Sequence, residues 1–152
     1  MRLPYQVIVL LYKFVEGEPQ FCVFQRRSPP VWQFVSGGGE DTESPKQAAI
    51  REVWEETGLH LQQATPLTQS AFLPAAVIDE PRRKHWPEPT YVIPEYAFAA
   101  EASGDVLLSN EHIAYRWCSY EEAHQLLRFD SNKIALYELA CRLAGRVLPW
   151  SI

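Results

Sequence analysis

The stretch "GGGEDTESPKQAAIREVWEETGLHL", Gly37 to Leu61, constrains this chain more than any other. Ser44 is a helix N-cap with Pro45 in the first turn, and Gly58 is a stop, so the spacing predicts a helix from about Ser44 to Thr57. Gly37–Gly39 read as a loop leading into it. On that helix Glu52, Glu55 and Glu56 lie at i, i+3 and i+4, and so share one face. Ala48 and Ala49 flank the face one turn earlier and are too small to cover it. Ile50, Val53, Trp54 and Thr57 form the opposite side, which can pack on a sheet, so Trp54 is expected in the core. Like charges at this spacing repel, and enclosure raises the cost. One reading is a solvated acidic helix. The other is a face that holds a divalent cation, since magnesium takes a few carboxylates together with substrate phosphates.

Around the helix the chain alternates in character. "YQVIVLLYKF" (5–14), "QFCVFQRR" (20–27) and "VWQFVS" (31–36) read as strands, the first two joined by the turn "EGEP". "PLTQSAFL" (66–73) and "HIAYRWCS" (112–119) are further strands, and "TYVIPEYAFAAEA" is one strand or two broken at Pro94. Residues 74–89, rich in proline and charge, read as a long loop. "SYEEAHQLL" is a short helix capped by Ser119. "DSNKIALYELACRLAG" is a last helix, capped by Asp130 or Ser131 and ended by Gly145. Strands with a helix between them and helices at the end make an α+β order. A length of 152 residues suits one domain spanning 1–152.

Composition narrows the function. With 47% hydrophobic and 22% charged residues the chain is composed like a soluble globular protein. No apolar run reaches membrane-spanning length, and the N-terminus reads as a strand rather than a signal peptide, so no membrane partner is expected. Cys22, Cys118 and Cys141 are scattered and odd in number, which points to buried packing residues and a reducing, cytoplasmic setting, with neither zinc nor disulfides. A net charge of −5 argues against bulk nucleic-acid binding. It also means that an anionic substrate needs a cation between itself and the acidic face.

Written out, the stretch is Gly37, five residues, Glu43, seven residues, then Arg51-Glu52-Val53-Trp54-Glu55-Glu56-Thr57-Gly58-Leu59. This resembles the Nudix box, G-x5-E-x7-R-E-U-x-E-E-x-G-U with U aliphatic, at all nine specified positions. The resemblance implies an α/β/α sandwich with a mixed sheet, and a loop–helix–loop catalytic motif. It implies an enzyme that cuts a nucleoside diphosphate linked to a further group, with Mg2+, or Mn2+ in its place. It places metal on Glu52, Glu55 and Glu56, with a carbonyl of Ser36 or Gly37 beside them. Arg51 and Glu43 would orient these groups through a salt bridge. Phosphoryl transfer needs charge neutralisation and alignment more than a covalent nucleophile, and Glu55 or a distant carboxylate would take the proton. No Ser/His/Asp or Cys/His arrangement competes.

Beyond the box, "FQRRSPPVWQFVSGG" and "EHIAYRWCSYEEAHQLLRFDSNKIAL" resemble the dihydroneopterin triphosphate, or dATP, pyrophosphohydrolase group. From that likeness Arg26 would meet the phosphates, and Glu111 would be a further metal ligand or the general base. Glu52, Glu55, Arg51 and Glu111 are thus the expected catalytic set. Ser131 would bind the substrate at a helix N-terminus, beside Asn132, and Trp32 would stack on a base or pterin. The blander readings stay open: strand-end surface residues for Arg26 and Glu111, a plain cap for Ser131, core for Trp32. "PRRKH" (Arg82, Arg83, Lys84, His85) is either a lid or solvated charge, and Trp86, Tyr91 and Tyr96 are stacking faces or core. The compact "SPP", and Ser36 before the box glycine, depart from the group's pattern where the base would sit.

The reading is a Mg2+-dependent hydrolase of a nucleoside or pterin triphosphate, working as a monomer or homodimer. Its rivals are a hydrolase of dinucleoside polyphosphates or nucleotide sugars, and a non-catalytic nucleotide sensor. The full set of glutamates speaks against the sensor.

Overall fold

The computed structural model describes residues 1–150; Ser151 and Ile152, at the end of the expected domain, lie outside the described residues. The order is β1 (Arg2–Val15), β2 (Glu18–Arg26), β3 (Trp32–Gln33), β4 (Val35–Glu40), α1 (Pro45–Thr57), β5 (Thr65–Pro74), α2 (Glu80–Arg83), β6 (Val92–Glu101), β7 (His112–Cys118), α3 (Tyr120–Leu126) and α4 (Asp130–Ala144).

The sheet is organised around β1, whose 14 residues are long enough to serve three partners. Its first half pairs antiparallel with β4 and its second half antiparallel with β2. Along Gln6–Tyr12 it pairs in parallel with β6. The order β3-β2-β1-β6-β5 is completed by β4 on β1 and β7 on β2, so the sheet is mixed. Successive β1 side chains point to opposite faces. Val7, Val9 and Leu11 meet Ala48, Ala49 and Val53 of α1. Ile8 and Leu10 enter a second core with Ala123 of α3 and Leu136 and Leu139 of α4. Helices therefore cover both faces, which is the expected α/β/α sandwich.

Helix α1 begins and ends as the sequence predicts. Ser44 Oγ accepts from the Gln47 N–H and Gln47 Oε1 from the Ser44 N–H, a capping box of about 1 kcal/mol. Gly58 closes it at φ 74°, a conformation that suits glycine.

Several elements differ from expectation. The inward side of α1 is Ala48, Ala49, Val53, Glu56 and Thr57. Small alanines bring the helix close to the sheet, so Trp54 is turned out, 47% exposed and stacked on His60 at 3.8 Å. Gly37–Gly39 are not a loop but part of β4. Residues 74–89 are not one long loop. A 3₁₀ turn, Ala75–Val77, and α2 are pinned by buried Trp86, whose Nε1 donates to the Arg2 carbonyl at 2.8 Å. Pro94 does not break β6, which runs through it. Helix α4 has Phe129 at its N-cap with no side-chain cap, instead of Asp130 or Ser131. Tyr91 and Tyr96 are exposed, and Cys22 and Cys118 are fully buried.

Candidate active site

Five hydrogen bonds from Arg51 organise the box. Nε gives 2.7 Å to Glu43 Oε2 and Nη2 gives 2.9 Å to Glu43 Oε1, a bidentate pair of the geometry guanidinium favours. Nη2 also reaches the Gly38 carbonyl at 2.7 Å, and Nη1 reaches Glu52 Oε1 at 3.1 Å and Glu55 Oε2 at 3.0 Å. Glu43 is held in turn by the Glu40 N–H at 2.9 Å, and its carbonyl accepts from Tyr5 Oη at 2.9 Å. The salt bridge between Arg51 and Glu43 is therefore present, and with the Gly38 contact it ties α1 to β4 and the turn after it. The Arg51 hydrogen bond holds the Glu43 carboxyl below the usual range.

The glycines let β4 run against these side chains. A Cβ on Gly37 would fall within the Glu52 carboxylate, and one on Gly38 within the Arg2 guanidinium. No other residue type fits either place without displacing a charged group.

The three helix glutamates differ in burial. Glu55 is half exposed, Glu52 mostly covered and Glu56 buried. Burial pushes Glu52 up to about 7, against the pull of Arg51, with Glu55 and Glu111 pushing the same way. Glu56 is raised well above the ordinary carboxylate range, first by burial, then by the charges of Glu52 and Glu111. Its Oε2 has no hydrogen-bond partner among the described residues. His112 Nδ1 lies 3.9 Å from that oxygen, and burial lowers the His112 pKa, so the neutral imidazole does not compensate the charge.

Among the described residues, no three His, Cys, Asp or Glu side chains are already gathered into a metal-ligating cluster. Glu52 and Glu55 are turned to Arg51 instead. The donors nevertheless fit a hard divalent cation. They are oxygens, they repel one another, and one is a buried orphan.

Glu52 and Glu55 open on a cleft of about 700 Å3, while buried Glu56 lies behind them and is not part of its lining. Ser36, Gly37, Glu52, Glu55, Glu111 and Ser131 line it, as does Arg26. Glu111 comes from the turn before β7, where its carbonyl accepts from the Arg27 N–H at 3.0 Å. Trp32 does not join them. It packs with the α3–α4 core under the Arg116 guanidinium, 5.4 Å from its ring centre, so its alternative reading as core fits. Strand alternation sends its neighbour Gln33 to the cleft.

Sequence reasoning missed Arg2, Gln33 and Glu95, which also line the cleft. Arg2 sits at the chain start, with no motif to mark it. Glu95 carried a signal: it is in phase with Ile93, Ala97 and Ala99, all buried positions of β6. Arg82, from the charge cluster, reaches the cleft on the short helix α2 and pairs with Asp79.

Comparison with known proteins agrees with this arrangement. The NUDIX domain model matches residues 4–140. Dihydroneopterin triphosphate diphosphatase of Escherichia coli K12 is 26% identical over 146 residues, covering 94% of this chain and 96% of the relative. The asymmetrical bis(5'-nucleosyl)-tetraphosphatase of Sus scrofa is 36% identical over 112 residues, covering 70% and 68%. A crystal structure described as a NUDIX hydrolase, from Listeria monocytogenes, superposes with a TM-score of 0.80 at 42% identity, covering 94% of this chain and 96% of that one. A family model that spans most of the chain, box and sheet together, places it: this protein belongs to the NUDIX family and is an enzyme of its pyrophosphohydrolase kind.

Proposed function

We propose that this protein is a Mg2+-dependent hydrolase that cuts a nucleoside or pterin triphosphate between its α and β phosphates, giving a monophosphate and pyrophosphate. The observation that carries the reading is one cleft lined both by the box carboxylates Glu52 and Glu55 and by Arg2, Arg26, Arg27 and Arg82. Carboxylates alone would repel a polyphosphate, and arginines alone would bind it without activating water.

In this reading Glu52, Glu55, Glu56 and Glu111 hold Mg2+, with a carbonyl of Ser36 or Gly37; Mn2+ substitutes. When bound, the ion offsets phosphate charge and lowers the pKa of a water. Arg51 and Glu43 fix the rotamers of the box carboxylates through the bonds described above. Arg26, which has no side-chain hydrogen bond among the described residues, takes phosphate oxygens. Glu55 or Glu111 accepts the proton of the attacking water. Ser131, in the first turn of α4, meets the rest of the substrate.

A second reading, hydrolysis of a dinucleoside polyphosphate, is favoured by the greater identity to the pig tetraphosphatase and by the number of arginines, which suits a longer phosphate chain. Product analysis separates the two. With Mg2+, dNTPs, dihydroneopterin triphosphate, diadenosine polyphosphates and ADP-ribose are each incubated with the enzyme. Monophosphate and pyrophosphate from a triphosphate, at the highest kcat/KM of the panel, supports the first reading. Preferred cleavage of diadenosine tetraphosphate without pyrophosphate supports the second.

A further inference from the structure

Glu95 is a charged side chain that the proposed reaction does not use. It lies in β6, paired on one side with Gln6 of β1 and on the other with Ala71 of β5. It is 4% exposed, and its Oε1 has no hydrogen-bond partner among the described residues. Yet it lines the same cleft as Glu52, Glu55 and the arginines. Burial raises its pKa, and the Ser131 hydroxyl draws it back down. A buried carboxylate oxygen without a donor destabilises a fold, so its presence at a cleft calls for a ligand that supplies one.

The surroundings say what kind. Ser131 and Asn132 occupy the first turn of α4, a helix end with no side-chain cap, whose positive dipole favours the ionised carboxylate. Asn132 is committed, since its Oδ1 accepts from the Phe34 N–H at 3.0 Å. Phe129, two residues before Ser131, is 40% exposed and lines the cleft as well. An exposed aromatic ring and an unpaired carboxylate in one cleft offer a flat heterocycle both a face and an edge.

We infer that Glu95 selects the heterocycle of the substrate, taking one whose edge carries an N–H beside an amino group, while Phe129 stacks on its plane. Guanine and 2-amino-4-oxopteridine share that edge. Two parallel N–H donors match the two oxygens of a carboxylate. Hypoxanthine keeps the ring N–H but lacks the amino group. Adenine presents one donor beside an acceptor, which leaves a carboxylate oxygen facing a lone pair. This inference rests on the proposed reaction, which puts the triphosphate's base or pterin in the same cleft.

The test uses product-like monophosphates, which bind without turnover. Affinities of GMP, IMP, AMP and dihydroneopterin monophosphate are measured by calorimetry, with Mg2+, for the wild type, Glu95→Gln and Phe129→Ala. The expected order places GMP or the pterin above IMP by about 10-fold or more, and AMP last. Whichever of the first two binds tighter names the source of the edge. Glu95→Gln should bring the GMP to IMP ratio to about 1, because an amide meets one donor with another. Phe129→Ala should weaken all four and keep the ratio. Equal wild-type affinities, tightest binding of AMP, or an unchanged ratio in a folded Glu95→Gln protein would overturn the inference. If Glu95→Gln does not fold, the wild-type ranking decides alone. A protein that ranks the monophosphates as expected but releases no pyrophosphate from any triphosphate sinks the proposed reaction and leaves the base site. Pyrophosphate release with no ranking does the reverse.

Discussion

Arg51 has a side chain only 20% exposed and donates to Glu43, Glu52, Glu55 and a backbone carbonyl. Removing it strands at least two partly buried carboxylates. Arg51→Ala should therefore destabilise the fold by about 2–4 kcal/mol, read as a lower urea midpoint at unchanged m-value. Arg51→Lys should recover little, since an ammonium cannot make the fork to Glu43. Glu56 behaves oppositely. Its carboxyl is buried with no partner for Oε2, so Glu56→Gln should leave the metal-free Tm equal or higher, while turnover falls by ~10²-fold or more. A lower metal-free Tm for Glu56→Gln would mean that the carboxylate is there for folding.

At the scale of elements, β4 and α1 form the site by close approach. Gly37→Ala would push a methyl into the Glu52 carboxylate. The expected result is a folded protein with a drop in kcat of about 10²-fold, measured beside a far-ultraviolet circular dichroism check. Trp54→Ala, by contrast, removes an exposed ring and its stack on His60, and should shift stability by less than about 1 kcal/mol. The ends of α1 were legible because Ser44, Pro45, Gln47 and Gly58 carry local capping chemistry. Which side of α1 faces the sheet was legible only in part. Val53 and Thr57 are buried and Ile50 packs on the core edge as expected, but the inward side is turned toward Ala48 and Ala49, which permit a closer approach and leave Trp54 outside. For the same reason the glycines read as a loop. Their strand pairing with β1 depends on Arg2, Tyr5 and Glu52, which are remote in sequence. The open N-terminus of α4 was hidden too: Asp130 and Ser131 look like caps, but Asn132 Oδ1 accepts from the Phe34 N–H and its Nδ2 donates to Ser131 Oγ.

For the whole molecule, the raised carboxyls of Glu52 and Glu56 link stability to pH. An unfolded glutamate titrates near 4.5, whereas folded Glu52 titrates at about 7. The folded state thus holds the proton more tightly, so metal-free stability falls as pH rises from about 4.5 to about 7. The loss is on the order of 3 kcal/mol for Glu52 alone. A bound divalent cation favours the ionised forms and reverses the trend. The gap in Tm between Mg2+ and EDTA should accordingly widen from pH 5 to pH 8, and a gap independent of pH would speak against metal on these carboxylates. At this scale the sandwich was legible through the resemblance of the box; Val7–Leu11 is apolar at every position, which marks a buried strand but not that its side chains enter two cores on two faces. The parallel pairing of β1 with β6 was not legible, because it joins segments about 90 residues apart with no local turn to announce it.

The central claim is that the glutamates of α1 serve a metal that serves phosphoanhydride cleavage. Pyrophosphate release from dGTP and dihydroneopterin triphosphate, with Mg2+ and with EDTA, in the wild type and in Glu56→Gln, tests it most directly. The account predicts release that needs Mg2+ and falls by ~10²-fold or more in the variant. Release in EDTA, or a variant as active as the wild type, would contradict it.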